Sequence, residues 1–141
     1  AGLIFLMVFV ALPALQRSQR DSRRRDDILS FLETVKKYQT NNRGALPANN
    51  DAWQNDFFAG YLGDDFVDPS GNEYELVVLP CNSAKDAVCD KLQPLNVMDY
   101  ILHVYTQATC GDGEAAVGAS NPRNIAVLYR MEGSGVYCAN T

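Results

Sequence analysis

Few side chains here have the type and spacing to do chemistry. The cysteines are Cys81, Cys89, Cys110 and Cys138, and the single histidine is His103. No two cysteines form a CxxC pair, and His103 does not complete a zinc-ligand spacing. An even number of cysteines beside a hydrophobic terminus reads as two disulfides formed in an oxidising, extracytoplasmic setting, with four buried thiols in a cytosolic protein as the alternative. Three connectivities are possible; sequence proximity favours Cys81 with Cys89 and Cys110 with Cys138. Asp64, Asp65 and Asp68, beside Ser70 and Glu73, offer hard oxygens to Ca²⁺. They do not follow the EF-hand order, and an exposed acidic loop is the plainer reading. The chain has no GxSxG, Walker A, HExxH or GxGxxG motif, and His103 has no nucleophile at a useful spacing. The expectation is a protein that is not an enzyme, with no cofactor and no metal. His103, within the alternating ILHVYT, reads as a strand side chain.

The elements that would position these groups are more informative. Residues 1–15 (AGLIFLMVFVALPAL) are apolar, and QRSQRDSRRRDD follows at once. Fifteen helical residues at ~1.5 Å each reach about 22 Å, short of the roughly 30 Å hydrocarbon layer. The run lacks a basic leader and a small-residue cleavage site, so it is not an intact secretion signal. It opens on Ala1 in mid-run, and the expectation is that further apolar residues precede it. Residues 16–27 are polar all round, so that stretch must be held by its own pairs or by neighbours. Arg17 with Asp21, Asp21 with Arg25, Arg23 with Asp27 and Arg24 with Asp27 are suitably spaced, each worth a few tenths of a kcal/mol. Ile28, Phe31, Leu32, Val35 and Tyr38 then recur at helical spacing, a stripe able to pack on a sheet. Asn41, Asn42, Arg43 and Gly44 form a C-cap signal, with Pro47 beyond it. One helix over residues 1–43 is therefore expected: hydrophobic over 1–15, charged over 16–27 and amphipathic over 28–43. Because no small head needs a helix that long, its N-terminal half should project.

Residues 44–73 read as a connecting segment whose aromatics anchor it to the core. The period then changes to two in residues 74–80 (YELVVLP), 100–107 (YILHVYTQ) and 124–132 (NIAVLYRME), and residues 133–135 turn into Val136, Tyr137 and Cys138. The fold class expected is α+β, with the helix's C-terminal half on a four-stranded antiparallel sheet and a globular head spanning residues 44–141. Charge divides the chain: residues 14–37 hold seven basic and four acidic side chains, whereas residues 38–141 hold five and thirteen. A basic stalk thus carries an acidic head, a poor surface for nucleic acid.

This arrangement resembles a type IV pilin. The likeness rests on the apolar helix from Gly2 with Pro13 near its end, on FVDPSGNEY (residues 66–74), similar to the DP-x-G-x-x-Y turn of pilins and pseudopilins, and on the cysteine-flanked C-terminal hairpin. The tail LYRMEGSGVYC is similar to that of pilins from ultrasmall, episymbiotic bacteria. The N-terminal aromatic residue and nearby glutamate usual in the family have no counterpart here. The resemblance implies a subunit held in the cytoplasmic membrane before assembly, after processing by a prepilin peptidase. An assembly platform then extracts it into an extracellular, cell-surface homo-oligomeric filament for adhesion or twitching, with a host or surface ligand as a further partner. Gly2, Leu3, Ile4, Phe5, Leu6, Met7, Val8, Phe9, Val10, Leu12, Pro13 and Leu15 would then form the filament core or membrane segment. Arg17, Arg20, Arg23, Arg24 and Arg25 would make charge contacts between subunits. The alternatives are a pseudopilin or minor pilin of a type II secretion or DNA-uptake machine, and a monomeric membrane-anchored binding domain.

Overall fold

The computed structural model describes residues 2–49, 51–62, 66–89, 101–111, 115–132 and 135–141, with the backbone alone for residues 2–12. The architecture is α+β. Helix α1 (Gly2–Asn41) is followed by a π-helix (Ala52–Leu62) and, among the described residues, six strands. These are β1 (Glu75–Pro80), β2 (Ile101–Thr106), β3 (Ala108–Cys110), β4 (Ala116–Gly118), β5 (Ile125–Arg130) and β6 (Val136–Asn140).

Helix α1 has 40 residues and runs through Pro13 without a break, a length of roughly 60 Å at the α-helical rise. Residues 13–19 are exposed, and burial begins at Asp21. From there one stripe recurs every three or four residues. It is polar at Asp21 and Arg24 and apolar at Ile28, Phe31, Leu32 and Val35. The helix ends where the Gly44 amide returns to the Gln39 carbonyl. Gly44 has φ +84° and lies under Arg123, where an added Cβ would approach Nη1 to 2.5 Å, so the expected cap is realised. Among the described residues, no helix is long and apolar enough to cross a membrane.

The main sheet has the order β1-β2-β5-β6. β2 with β5 and β5 with β6 are antiparallel, but β1 and β2 are parallel, with Glu75 opposite Ile101. The expected all-antiparallel sheet is therefore corrected to a mixed one. The connection over residues 81–100 is far longer than a hairpin turn, and a connection of a dozen or more residues lets the second strand return in the same direction. A second, two-stranded ribbon pairs β3 with β4, which the sequence reading did not anticipate.

One face of the main sheet, with Leu76, Leu102, Val104, Ile125, Val127 and Tyr129, forms the core with α1. Tyr105, Ala126 and Leu128 on the opposite face join Cys81, Cys89, Ala108 and Ala116 in a second cluster. β5 is thus covered on both sides, which is why it reads as the unbroken apolar run IAVLY.

The connecting segment is more ordered than the expected run of short turns. In the π-helix, i→i+5 bonding widens the turn, so Trp53, Phe57 and Tyr61, spaced by four, share one side. The Phe57 ring meets Phe31 edge-on at 5.5 Å and Tyr38 at 5.8 Å. Gln54 Nε2 donates to the Leu76 carbonyl at 2.8 Å, fixing the π-helix to β1.

Candidate functional site at the junction of helix and head

The polar stretch of α1 docks on its own head. Arg24 is 4% exposed. Its Nε donates to Asp68 Oδ2 at 2.7 Å and its Nη2 to Asp68 Oδ1 at 2.9 Å, a bidentate fork. Nη1 donates to Asp21 Oδ1 at 3.0 Å and to Glu132 Oε2 at 2.9 Å. Arg20 Nε reaches the same Glu132 oxygen at 2.7 Å, and the Glu132 amide donates to Asp21 at 2.9 Å. One turn further along the helix, Asp27 accepts the Tyr74 hydroxyl at 2.8 Å.

Asp68 is held by its turn as firmly as by its partners. The Ser70 amide and hydroxyl donate to Oδ1 at 2.9 and 2.6 Å, and the Tyr129 hydroxyl donates to Oδ2 at 2.7 Å. The Asp68 amide donates to Asn72, the Gly71 amide donates back to Asp68, and Gly71 has φ +96°. Glycine adopts that conformation without the Cβ penalty. The DPSG sequence is therefore a cradle that aims one carboxylate at the helix.

The electrostatics follow from this geometry. Burial pushes the Asp68 carboxyl up, but the donors from Arg24, Ser70 and Tyr129 outweigh it and hold the group well below the usual carboxylate range. Hydrogen bonding to Asp68 holds the Arg24 guanidinium above its ordinary value despite burial. Burial, then the bond to Asp27, raises the Tyr74 phenol; burial also raises Asp27, against the donor from Tyr74. Hydrogen bonding to Arg20 lowers Glu132.

The five arginines expected between subunits divide here. Arg24 lies inside the subunit, and Arg20 is paired with the head. Arg17, Arg23 and Arg25 are exposed, with Arg25 5.6 Å from the centre of the Tyr137 ring. Arg24 pairs with Asp21 at i,i+3, and its remaining partners come from the distant Asp68 and Glu132. Sequence spacing could not reveal those partners; the visible signal was an otherwise unexplained polar helix followed by a DP-x-G turn. Of the apolar set, Pro13 and Leu15 are exposed, Leu15 by 55%. The side chains from Gly2 to Leu12 lie outside the described part of the structure.

Both favoured disulfides are formed: Cys81 with Cys89, at a Cα separation of 5.0 Å, and Cys110 with Cys138, at 5.9 Å. The first closes a loop whose Lys85 and Val88 bridge to β4, and the second joins β3 to β6. The exposed acidic-loop reading is corrected at Asp68, which is 1% exposed and ion-paired. Asp64 and Asp65 lie outside the described residues. Among those described, no group of three His, Cys, Asp or Glu side chains could hold a metal. His103 is 3% exposed on β2, its Nδ1 has no hydrogen-bond partner, and burial lowers its pKa.

Above this network, Arg17, Arg24, Ser70, Tyr129, Arg130, Met131 and Glu132 line a cleft of about 430 Å³. Arg24 of the fork is part of its wall, and Arg17 and Arg130 are exposed residues of its lining. No protein-family model, curated protein or solved structure matches this chain.

Proposed function

We propose that the chain is a non-enzymatic structural subunit of a type IV pilus, polymerising through its hydrophobic N-terminal helix into an extracellular filament. One observation carries the reading: α1 has 40 residues, and its burial against the head begins only at Asp21. An apolar helical half extends beyond the domain that could cover it. Residues 1–15 hold ten Leu, Ile, Val, Phe or Met side chains, and burying each is worth ~1.5–3 kcal/mol, so together they supply about 15–30 kcal/mol gross toward association. A head-to-tail contact of this kind does not close and grows as a helix. The DP-x-G cradle, the C-terminal disulfide hairpin and the amphipathic half of α1 on the sheet are the other features that agree with a pilin fold. On this reading the subunit waits in the cytoplasmic membrane and is drawn into the filament by an assembly platform.

Negative-stain microscopy of sheared surface material tests the proposal. Long fibres containing this chain are expected, and deletion of residues 1–15 should leave a folded head that does not polymerise. Filaments formed by that truncation would overturn the core assignment. Subunits that anchor in the membrane without ever forming fibres would favour a monomeric binding domain. Short periplasmic assemblies would favour a pseudopilin or minor pilin.

A further inference from the structure

We propose that the cleft between the C-terminal end of α1 and the start of β5 receives Glu73 and Glu75 from the head of a second copy of this chain. The inference rests on the filament reading and names one contact within it. Lys36, Gly44, Asn121, Arg123 and Thr141 are among the residues lining this cleft of about 410 Å³. Arg123 has a built seat there. Its carbonyl accepts Gln39 Nε2 at 3.1 Å, its amide donates to Asn121 Oδ1 at 2.9 Å, and its guanidinium lies over Gly44, where any Cβ would strike it. Among the described residues, neither that guanidinium nor the Lys36 ammonium has a hydrogen bond or ion pair, and no acidic side chain lines the cleft. The last turn of α1 does not use these cations, because Asn42 and Gly44 cap the Tyr38 and Gln39 carbonyls. Counting a carboxylate on Thr141, the cleft still keeps an excess of one positive charge.

Strand register supplies the direction. The contact of Gln39 with Arg123 puts the cleft at the end of the head where Pro80, Thr106 and Ile125 lie level. Glu75 and Ile101 begin their strands at the opposite end, where Arg24 meets Asp68 and Glu132. Arg24 and Gln39 are fifteen residues apart on α1, about 22 Å at the α-helical rise. Glu73 and Glu75 are exposed, and among the described residues their carboxylates make no hydrogen bond or ion pair. Glu75 alternates with Leu76, which packs toward α1, so it points away from the arginines of the helix. Arg130, two strands across the sheet, already has an interaction of its own. Cations at one end and carboxylates at the other cannot meet within one subunit. They meet when copies stack head to tail, a contact that does not close on itself.

Zero-length carbodiimide cross-linking of sheared fibres, read by peptide mass spectrometry, tests the contact. Lys36 should be joined to Glu73 or Glu75 in fibres and not in unassembled chain. K36E/R123E and E73K/E75K should each lower fibre yield about tenfold, the loss of two exposed ion pairs. Combining the two reversals should restore yield to within about twofold. Fibres left intact by either reversal overturn the contact and leave the filament reading standing. So does loss in both reversals without rescue by the combination, or a cross-link from Lys36 to Asp51 or Asp56 instead. Fibres that lose only the capture of an acidic polysaccharide in K36E/R123E overturn it in favour of a surface ligand. A wild-type chain that never forms fibres overturns the filament reading itself, and the contact with it.

Discussion

Arg24 and Asp68, 44 residues apart, meet through two parallel hydrogen bonds of 2.7 and 2.9 Å, with side-chain exposures of 5% and 0%. The pair joins the charged part of α1 to the turn that leads into the sheet. Removing either partner leaves a buried charge that has lost its bidentate counter-ion and keeps only its lesser contacts, Asp21 and Glu132 for Arg24, Ser70 and Tyr129 for Asp68.

Arg24→Ala or Asp68→Ala should each cost about 3–5 kcal/mol. The double variant should cost clearly less than the sum. Urea unfolding of the four proteins of the cycle measures this. Strict additivity would show that the two residues do not act as a unit.

Stability should also fall in acid through Asp68. Its folded carboxyl holds its proton less tightly than the unfolded one. The contribution is therefore complete above the unfolded pKa of about 3.9 and drains as pH drops below that toward the folded value. The stability difference between wild type and Asp68→Asn should be flat from pH 8 to 5 and narrow below about pH 4. A difference that stays constant to pH 2 would contradict this origin.

His103 acts in a different window. Burial lowers its folded pKa, so below the unfolded value of about 6.5 the unfolded chain takes up a proton that the folded one resists. Stability attributable to His103 is full above pH 7 and declines toward pH 5, by at most about 1.4 kcal/mol per pH unit. His103→Leu should flatten that slope and also remove the unpartnered Nδ1. An identical slope in the variant would place the effect elsewhere.

The disulfides should differ in worth. Their sequence separations are 8 and 28 residues. Loop-closure entropy then gives about 2–3 kcal/mol for Cys81–Cys89 and about 3–4 kcal/mol for Cys110–Cys138. Paired Cys→Ser variants compared by thermal unfolding should rank in that order. Thiol counting under denaturing, non-reducing conditions should find no free thiol.

The helix and all four strands of the main sheet were legible because their signals are local: Ile28, Phe31, Leu32 and Val35 at helical spacing, Gly44 at the cap, and apolar runs between turns. The parallel register of Glu75 with Ile101 was not, since strand direction depends on the path of a long connection rather than on either strand. The β3–β4 ribbon is only three residues per strand, too short for a period to stand out. At the site, Arg24 and Asp68 each carried an obvious charge, but their encounter is a tertiary event with no trace in spacing. The π-helix went unread because Trp53, Phe57 and Tyr61, four residues apart, suit one face of a strand as well as one face of a helix, so the spacing does not choose between them.

The Cys110–Cys138 bond has a mechanical consequence. β6 is the last strand, at the edge of the main sheet, and its Asn140 lies opposite Ala126 at the start of β5. Tension applied at the C-terminus would peel such a strand open one rung at a time. Here the peeling front meets the covalent staple at Cys138 after the final three residues, and the load passes to β3. A chain pulled from its end should therefore resist as a block rather than unzip, until tension reaches the fork between Arg24 and Asp68.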